Sequence, residues 1–354
     1  MQIRSIFSVA IVLASLSALP THAADKIPAS PLLAVGIQTS HVREMVAKVL
    51  GFYDEEGLDA TLVPAPGSAT EIQYMAAGRG TLGGIDVDMG IRQRKEPGGL
   101  KLLAVFSNIQ SGVYWMAMLD GSSIKTITDL KGKTVGVPTQ ASGAYQFLMA
   151  VAKTAGLKET DFTVVPVGFG PAATDALARG RIDMISTVFS DVLNMRYLAE
   201  VKNQFKLRQL NVPENAYPTN ALMITEDEAK NKRKMVVGMM RAYAKGQLFV
   251  DTNPAAALKV AKTLYPELIR DDDFERQVTL TTWSSDASYN MPKYRDKPLG
   301  YFDMDAWKGT EKYYKEAGLI GPDDKITDII DTSFIEEANN FDKERIRKMA
   351  REYK

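Results

Sequence analysis

Residues 36–79 read GIQTSHVREMVAKVLGFYDEEGLDATLVPAPGSATEIQYMAAGR, and residues 136–181 read GVPTQASGAYQFLMAVAKTAGLKETDFTVVPVGFGPAATDALARGR. Both segments run from a Gly through a helical stretch to a Gly-Leu pair, then to a Val-Pro pair, a Gly-containing turn and a Gly-Arg pair. A pattern that occurs twice, about a hundred residues apart, is too widely spaced for a solenoid and indicates two related lobes. Two lobes imply a cleft between them, which is a favoured place for binding a small molecule.

Short apolar runs alternate with helical periodicity along most of the chain, which predicts an α/β fold. Each lobe is expected to be a doubly wound mixed sheet flanked by helices. The predicted strands are Leu32–Ile37, Leu58–Val63, Thr81–Ile85, Leu100–Ser107, Val113–Leu119, Thr134–Val137, Met184–Val188, Phe205–Leu210 and Ala221–Thr225. The predicted helices start after Thr39 or Ser40 as N-cap, at Thr70–Ala77, near Met89 and at Asp191–Val201, and continue as Met235–Val250, Pro254–Leu264, Asp272–Thr281 and Asp305–Ala317.

The chain is expected to cross twice between the lobes, near Leu119–Ser122 and near Val212–Tyr217, where turn residues separate extended runs. Lobe one then comprises residues 31–119 and 218–354, and lobe two, residues 120–217, is an insertion within it. The two crossings predict a two-segment hinge.

The first 23 residues are predicted to be a secretory signal peptide, cleaved near Ala23. Arg4 precedes an apolar stretch, Ile6–Leu19, which is followed by Pro20 and a small-residue cleavage site. The apolar stretch is too short to span a membrane. The chain has 0 Cys, so it carries no lipid-bearing Cys after the signal. These features predict a periplasmic protein that is not a lipoprotein.

Composition argues against several classes of function. Lys plus Arg and Asp plus Glu both total 43, and such a balance is not typical of proteins that bind nucleic acid or anionic membranes. The chain has 2 His and 0 Cys, which leaves no His-rich metal site and no Cys nucleophile. No Gly-rich phosphate-binding motif occurs. We therefore expect that the protein is not an enzyme and that it binds neither a metal nor a cofactor.

Ligands of doubly wound sheets bind outside the carboxyl ends of the strands. In lobe one this rule selects Gln38, Thr39, Ser40, His41, Gly67, Ser68, Ala69, Asp86 and Asp88. In lobe two it selects Thr139, Gln140, Ser142, Gly143, Phe169, Gly170, Thr187, Phe189 and Asp191. Trp115 and Tyr217 lie beside the two crossings and are predicted to be ligand walls. Any single Ser, Thr or Asp of this set could instead be an ordinary helix cap, and Tyr114 and Phe189 could be core residues.

The selected loops favour two kinds of ligand. Helix N-termini at Gly67–Ala69 and Ser142–Gly143 favour a sulfonate or another oxyanion. The aromatic residues and loop aspartates suit an aminopyrimidine or another planar ring. The lobe-two loops contain no Arg, the usual bidentate partner of a dense anionic charge, which tilts the prediction toward a small organic molecule.

Several short motifs resemble the solute-binding proteins of ABC importers for nitrate, sulfonates, taurine and thiamine-precursor pyrimidines. The motifs are Gly51–Leu58, Gly67–Ala69, Ala76–Gly78, Asp129–Gly136, Gly180–Asp183, Pro298–Gly300, Trp307 and Ala317–Ile320. The resemblance implies a type II periplasmic binding protein, a monomer that closes on a small-molecule solute and delivers it to an ABC permease in the inner membrane. The same family includes a thiamine-pyrimidine synthase, an enzyme alternative whose Cys-rich motif is absent here. A sensory binding protein is a third interpretation.

Overall fold

The computed structural model of the protein describes residues 26–33, 37–65, 67–140 and 142–354. The predicted signal peptide and its cleavage site at Ala23 lie outside this part of the chain. Of residues 215 and 216 only the backbone is described. Among the described residues, no helix combines the length and the hydropathy that crossing a bilayer requires.

The strands are short, and most of them precede a helix. They are β1 (Ile27–Ala29), β2 (Leu32–Leu33), β3 (Leu58–Ala60), β4 (Val63–Pro64), β5 (Gly83–Asp86), β6 (Leu102–Phe106), β7 (Tyr114–Leu119), β8 (Thr134–Val137), β9 (Thr163–Pro166), β10 (Met184–Val188), β11 (Leu207–Leu210) and β12 (Asn220–Thr225).

Helices are concentrated after β12. The helices are α1 (Val42–Val49), α2 (Phe52–Glu55), α3 (Ser68–Ala76), α4 (Val87–Lys95), α5 (Gly143–Thr154), α6 (Pro171–Ala178), α7 (Phe189–Glu200), α8 (Glu226–Asn231), α9 (Arg233–Thr252), α10 (Pro254–Leu264), α11 (Phe274–Ser284), α12 (Met304–Ala317), α13 (Ile335–Ala338) and α14 (Lys343–Glu352). A π-helical turn, Ser285–Tyr289, continues α11.

The second copy of the repeated pattern builds a five-stranded mixed sheet in the order β11-β7-β10-β8-β9. Strands β10, β8 and β9 are parallel, and β7 runs antiparallel to both β10 and β11. Helices α5, α6 and α7 follow β8, β9 and β10, as expected for crossover connections. The carboxyl ends of these three strands therefore lie at one edge of the sheet.

The first copy contributes to a separate set of strands. β12 lies between β5 and β6 and is antiparallel to both. β1 pairs with β3 and β2 with β4, in each case in parallel, and a bridge between Pro31 and Leu82 links β2 to β5. The extensive core beneath these strands contains buried Phe52, Phe106 and Phe249.

The predicted elements are largely present, with three corrections. The run Leu58–Val63 forms two strands instead of one, because β3 and β4 pair with different neighbours. Thr39 and Ser40 do not cap α1; they lie in a 3-10 turn, and α1 begins at Val42 without a side-chain cap. Of the predicted strand Leu32–Ile37, β2 covers only its first two residues, and residues 34–36 lie outside the described part.

The position of the first crossing between the lobes depends on β7, which belongs to the five-stranded sheet. Because β7 pairs with β10 and β11, the chain joins the five-stranded sheet before Tyr114. The division into lobes stays a prediction, and we propose that its first crossing lies at residues 107–113 instead of 119–122.

Candidate functional site

The predicted loops meet in two groups of contacts. We call the first the Asp86 cluster, formed by Ser68, Asp86, Tyr114, Gly143 and Asn220. We call the second the Arg43 cluster, formed by Ser40, Arg43, Phe189, Gln247 and Tyr289. The Asp86 cluster joins β5, β12 and the start of α3 to β7 and α5. The Arg43 cluster joins α1, the turn before it and α9 to α7 and the π-helical turn.

The Asp86 cluster is organised around one buried carboxyl group at the end of β5. Asn220 is the cross-strand neighbour of Asp86 on β12, and its Nδ2 donates to Asp86 Oδ1 at 3.1 Å and to the Gly84 carbonyl at 2.7 Å. The Asp86 backbone amide donates to Ser68 Oγ at 3.0 Å. Burial, and secondarily the charge of Asp88, raises the pKa of Asp86 to about 7, although hydrogen bonds from Asn220, Ser68 and Tyr114 oppose this shift.

Tyr114 connects this carboxyl group to the other sheet. It is the first residue of β7, and its hydroxyl is hydrogen-bonded to Asp86. A Cβ atom on Gly143, the first residue of α5, would lie only 2.0 Å from Tyr114 Oη. Only Gly permits this approach without displacement. Asp86, at the end of β5, and Gly143, after β8, therefore both contact the hydroxyl group of Tyr114.

Aromatic rings extend the cluster toward α12. Tyr114 packs against Phe147 with ring centroids 6.0 Å apart, and Phe147 contacts Tyr313 edge-on at 6.2 Å. Asp88 lies one residue into α4; burial raises its pKa, and the ion pair with Arg92 opposes that shift. This end of the site therefore combines the carboxyl groups of Asp86 and Asp88 with a wall of aromatic rings.

The Arg43 cluster contains a buried cation in the first turn of α1. Arg43 is 2% exposed, its Nη1 donates to the Ser40 carbonyl at 2.6 Å, and its Nε donates to Gln247 Oε1. Its guanidinium carbon lies 3.3 Å from the centroid of the Tyr289 ring. These contacts are to neutral groups, and the carboxylates of Glu44 and Asp251 interact with the charge of Arg43 without a direct ion pair among the described residues. A buried cation of this kind is suited to an acidic group of a ligand.

The Tyr289 ring contacts residues of both predicted lobes, Arg43 and Phe189. Tyr289 ends the π-helical turn, and it contacts the Phe189 ring edge-on at 5.9 Å; Phe189 in turn lies 5.9 Å from Trp115. π-Helical turns occur frequently at functional sites. Arg43 and Phe189 thus face one ring from two different lobes of the predicted division.

Three buried polar atoms near these loops have no hydrogen-bond partner among the described residues: Ser40 Oγ, His41 Nδ1 and Trp115 Nε1. Burial, together with the charge of Arg43, lowers the pKa of His41 to about 4, so its ring is neutral at pH 7. A buried polar atom without a partner carries a free-energy cost. A ligand that supplied the missing partners would remove that cost.

The remaining predicted residues lie in several settings. Asp191 Oδ2 accepts from Thr187 Oγ1 at 3.0 Å and from the Gly170 amide at 3.4 Å, which joins two lobe-two loops. Ser142 caps α5, accepting from the Tyr145 amide at 3.2 Å. Tyr217 packs against Gly309 of α12, where a Cβ would lie 2.3 Å from its ring. The exposed members are Gln38, Gly67, Ala69, Thr139, Gln140 and Phe169, while Thr39 and Gly170 are half-buried.

Sequence reasoning missed Arg43, Asn220 and Tyr289, and it favoured a core role for Tyr114. A signal for Arg43 was available, because a basic residue in the first turn of a helix opposes the helix dipole and usually has a reason to be there. Asn220 and Tyr289 lie about a hundred residues or more along the chain from Asp86 and Phe189, and no local pattern links them.

A family model described as "NMT1/THI5 like" matches residues 38–257. The riboflavin-binding protein RibY of Chloroflexus aurantiacus is 24% identical over 203 residues, covering 56% of this chain and 54% of that protein. The 4-amino-5-hydroxymethyl-2-methylpyrimidine phosphate synthase THI5 of Saccharomyces cerevisiae is 24% identical over 298 residues, covering 80% of this chain and 81% of that protein.

Two solved structures share the fold at low sequence identity. The periplasmic nitrate-binding protein NrtA from Synechocystis PCC 6803 has a TM-score of 0.63 and 11% identity, covering 93% of this chain and 99% of that one. The periplasmic aliphatic sulphonate binding protein SsuA from Escherichia coli has a TM-score of 0.60 and 14% identity, covering 86% of this chain and 97% of that one. The predicted fold class, an α/β periplasmic binding protein fold with mixed sheets, is confirmed.

Proposed function

This chain belongs to the NMT1/THI5-like family, and we propose that it is the extracytoplasmic solute-binding component of an ABC importer. It captures a small organic solute between its two lobes and delivers it to a permease in the inner membrane. The observation that carries this proposal is the pairing of a binding-protein fold with three buried polar atoms in and beside the selected loops, Ser40 Oγ, His41 Nδ1 and Trp115 Nε1, that have no hydrogen-bond partner among the described residues. The protein is proposed to be periplasmic and monomeric, in agreement with the signal peptide that the sequence predicts.

The contacts also favour particular features of the solute. An acidic group, such as a sulfonate, would lie against the Arg43 guanidinium, whose hydrogen bonds to the Ser40 carbonyl and the Gln247 side chain are to neutral groups. A planar ring would stack near Phe189 and Trp115, whose indole nitrogen has no acceptor among the described residues. Sulfonates and heteroaromatic solutes therefore remain the two proposed classes, and the names of the relatives include both kinds of ligand.

Closure is proposed to use the contact between Tyr114 and Asp86. These residues lie on different sheets, and their hydrogen bond joins the two sheets. The segments 107–113 and 211–219 connect the two sheets and are the proposed hinges.

A thermal-shift screen tests this function. The panel contains alkanesulfonates, taurine, nitrate, aminopyrimidines and riboflavin, and a true solute raises Tm in proportion to the logarithm of its concentration above Kd. Calorimetry of the hit should give one solute per chain, and X-ray scattering should show a smaller radius of gyration. A panel without a hit, or a hit that leaves the radius unchanged, contradicts capture by closure.

Matched variants locate the site. Trp115→Phe keeps an aromatic ring, although a smaller one, and removes Nε1, which has no partner among the described residues. Ser40→Ala removes one hydroxyl. We expect each to weaken solute binding by about fivefold or more. Ser122→Ala changes a Ser whose hydroxyl accepts from the Ile124 amide and should leave affinity unchanged. Equal effects of all three variants would place the solute elsewhere.

An enzyme on the same scaffold is the second candidate, because the similarity to the yeast synthase covers most of both chains. The two functions differ in their products. Incubation of the protein under turnover conditions with metal and cofactor added, followed by mass spectrometry, should give no phosphorylated pyrimidine, the product in the name of the yeast synthase, if the protein only binds. Formation of that product over more than one turnover would replace the importer proposal.

A further inference from the structure

A separate cavity of about 470 Å³ lies among the C-terminal helices. Its walls come from α9, α11, the π-helical turn and α14, and none of the predicted solute-loop residues lines it. Cavities of this size hold a small organic ligand together with water. The cavity is therefore a second place where this chain could bind a small molecule.

The rim of the cavity is basic. Arg295, Lys297, Lys343 and Arg347 line it, against two carboxylates, Asp251 and Asp286. Asp286 pairs with Arg295. Arg347 pairs with Glu344, and Lys297 lies 3.6 Å from Asp296. Within the described residues, Lys343 has no ion-pair partner. Lys343 therefore provides a positive charge for an anion to pair with, while the other three rim cations already have carboxylate partners.

Asp251, which also lines the cavity, places a second requirement on the ligand. Its Oδ1 accepts hydrogen bonds from Gln247 Nε2 at 2.5 Å and from the Ser285 hydroxyl. Its Oδ2 is buried and has no hydrogen-bond partner among the described residues. A carboxylate oxygen accepts and never donates when ionised, so a ligand here must bring a hydrogen-bond donor. A bare oxyanion would meet this oxygen with repulsion.

We propose that this cavity binds an anion that also carries a hydroxyl group, namely hydrogen phosphate or a small hydroxylated phosphate monoester. The anionic oxygens lie against Lys343 and Arg347, and the hydroxyl donates to Asp251 Oδ2. The volume favours the monoester, because a single phosphate ion occupies only a small part of the space. Sulfate, which has anionic oxygens but no donor at pH 7, is discriminated against.

The site has a structural connection to the solute cleft. Gln247 accepts a hydrogen bond from Arg43 Nε with its oxygen and donates to Asp251 with its nitrogen. Ser285, which donates to Asp251, begins the π-helical turn that ends at Tyr289. The cavity nevertheless has its own lining, so its test does not depend on the importer proposal.

Calorimetry at pH 7 with glycerol 3-phosphate, inorganic phosphate and sulfate tests the proposal. We expect glycerol 3-phosphate and phosphate to bind at least tenfold more tightly than sulfate. Tighter binding of glycerol 3-phosphate than of phosphate identifies the monoester as the ligand, and the reverse order identifies free phosphate. Absence of binding by both phosphates, or equal affinity for sulfate, overturns the proposal.

Variants of the rim and the floor assign the binding to this cavity. The double variant Lys343→Gln/Arg347→Gln should weaken phosphate binding at least tenfold, while Lys348→Gln, on the same helix but outside the cavity, should not change it. Asp251→Asn can donate as well as accept, so it should reduce the preference for phosphate over sulfate. If the double variant binds phosphate as the parent does, the site is not here. The variants of Lys343 and Arg347, which are only half-buried, keep the test valid if Asp251→Asn fails to fold.

Discussion

The two copies of the repeated segment differ in how their loops are covered. In the first copy, His41 and Arg43 are buried and Ser40 Oγ has no partner among the described residues. In the second copy, Thr139 and Gln140 are exposed, and Ser142 is satisfied locally by the Thr139 carbonyl and the Tyr145 amide. Similar local sequence therefore gives, among the described residues, a first loop with a buried hydroxyl that has no partner and a second loop whose Ser142 hydroxyl is hydrogen-bonded locally.

Helices outside the repeat create the difference. α9 and α10 pack against α1, and α11 lies beside the turn at residues 39–41. Gly246 of α9 permits the closest approach, because a Cβ there would lie 2.3 Å from the Arg43 carbonyl oxygen. In the second copy α12 contacts α5, but the loop before α5 stays open. Tertiary cover, not the loop sequence, decides which polar groups lose their access to water.

The largest expected effect comes from removing the buried cation of the first copy. Arg43→Met leaves Gln247 Oε1 and the nearby carboxylates of Glu44 and Asp251 without its charge, and should lower the free energy of unfolding by about 3 kcal/mol or more. A control in the second copy, Arg179→Met, removes a cation that is 68% exposed and should cost less than about 1 kcal/mol. Urea unfolding measures both. Equal losses would show that the two copies are buried alike.

Gly143→Ala probes the point where the second copy touches the first. The new methyl group overlaps Tyr114 Oη and should cost about 2 kcal/mol by overpacking. The double variant with Tyr114→Phe should recover part of that loss, because the hydroxyl is the nearest atom. Gly121→Ala, which meets nothing within 4 Å, is the control and should change stability by less than about 0.5 kcal/mol. A double variant that is no better than the single one would argue against this contact.

Much of the fold was predictable because it depends on local pattern. The bounds of β10 and α10 agree with the predicted ones, and the mixed sheets follow from alternating strands and helices. The site was predictable only in part. The strand-end rule selected Ser68, Asp86 and Gly143, which do meet, but it could not find Asn220 or Tyr289, whose positions depend on a cross-strand pairing and on a π-helical turn.

Asp86→Asn tests whether the buried carboxyl group of the first copy makes the stability of the protein depend on pH. The pKa of Asp86 is raised to about 7 in the folded state, from an ordinary value of 3.8, so the folded protein holds a proton that the unfolded chain releases. Stability from this group is fully present below pH 4 and is lost as the pH rises to 7. The parent should lose up to about 1.4 kcal/mol per pH unit in this window relative to Asp86→Asn. Urea unfolding at pH 4.5, 6 and 7.5 measures the slope, and parallel curves would contradict the assigned pKa.

The smallest expected effect distinguishes two hydroxyl groups at equivalent helix starts. Ser142→Ala removes an N-cap and should cost about 1 kcal/mol, with no change in the pH dependence, because the cap is local to α5. Ser68→Ala should cost a similar amount, but it also removes a hydrogen bond that lowers the pKa of Asp86. Its stability loss should therefore extend to higher pH than in the parent. Unfolding curves at the same three pH values compare the two variants. If Ser142→Ala shifts the pH dependence as much as Ser68→Ala does, the second-copy loop is coupled to the buried carboxyl group, and the contrast between a self-contained loop and an incomplete one fails.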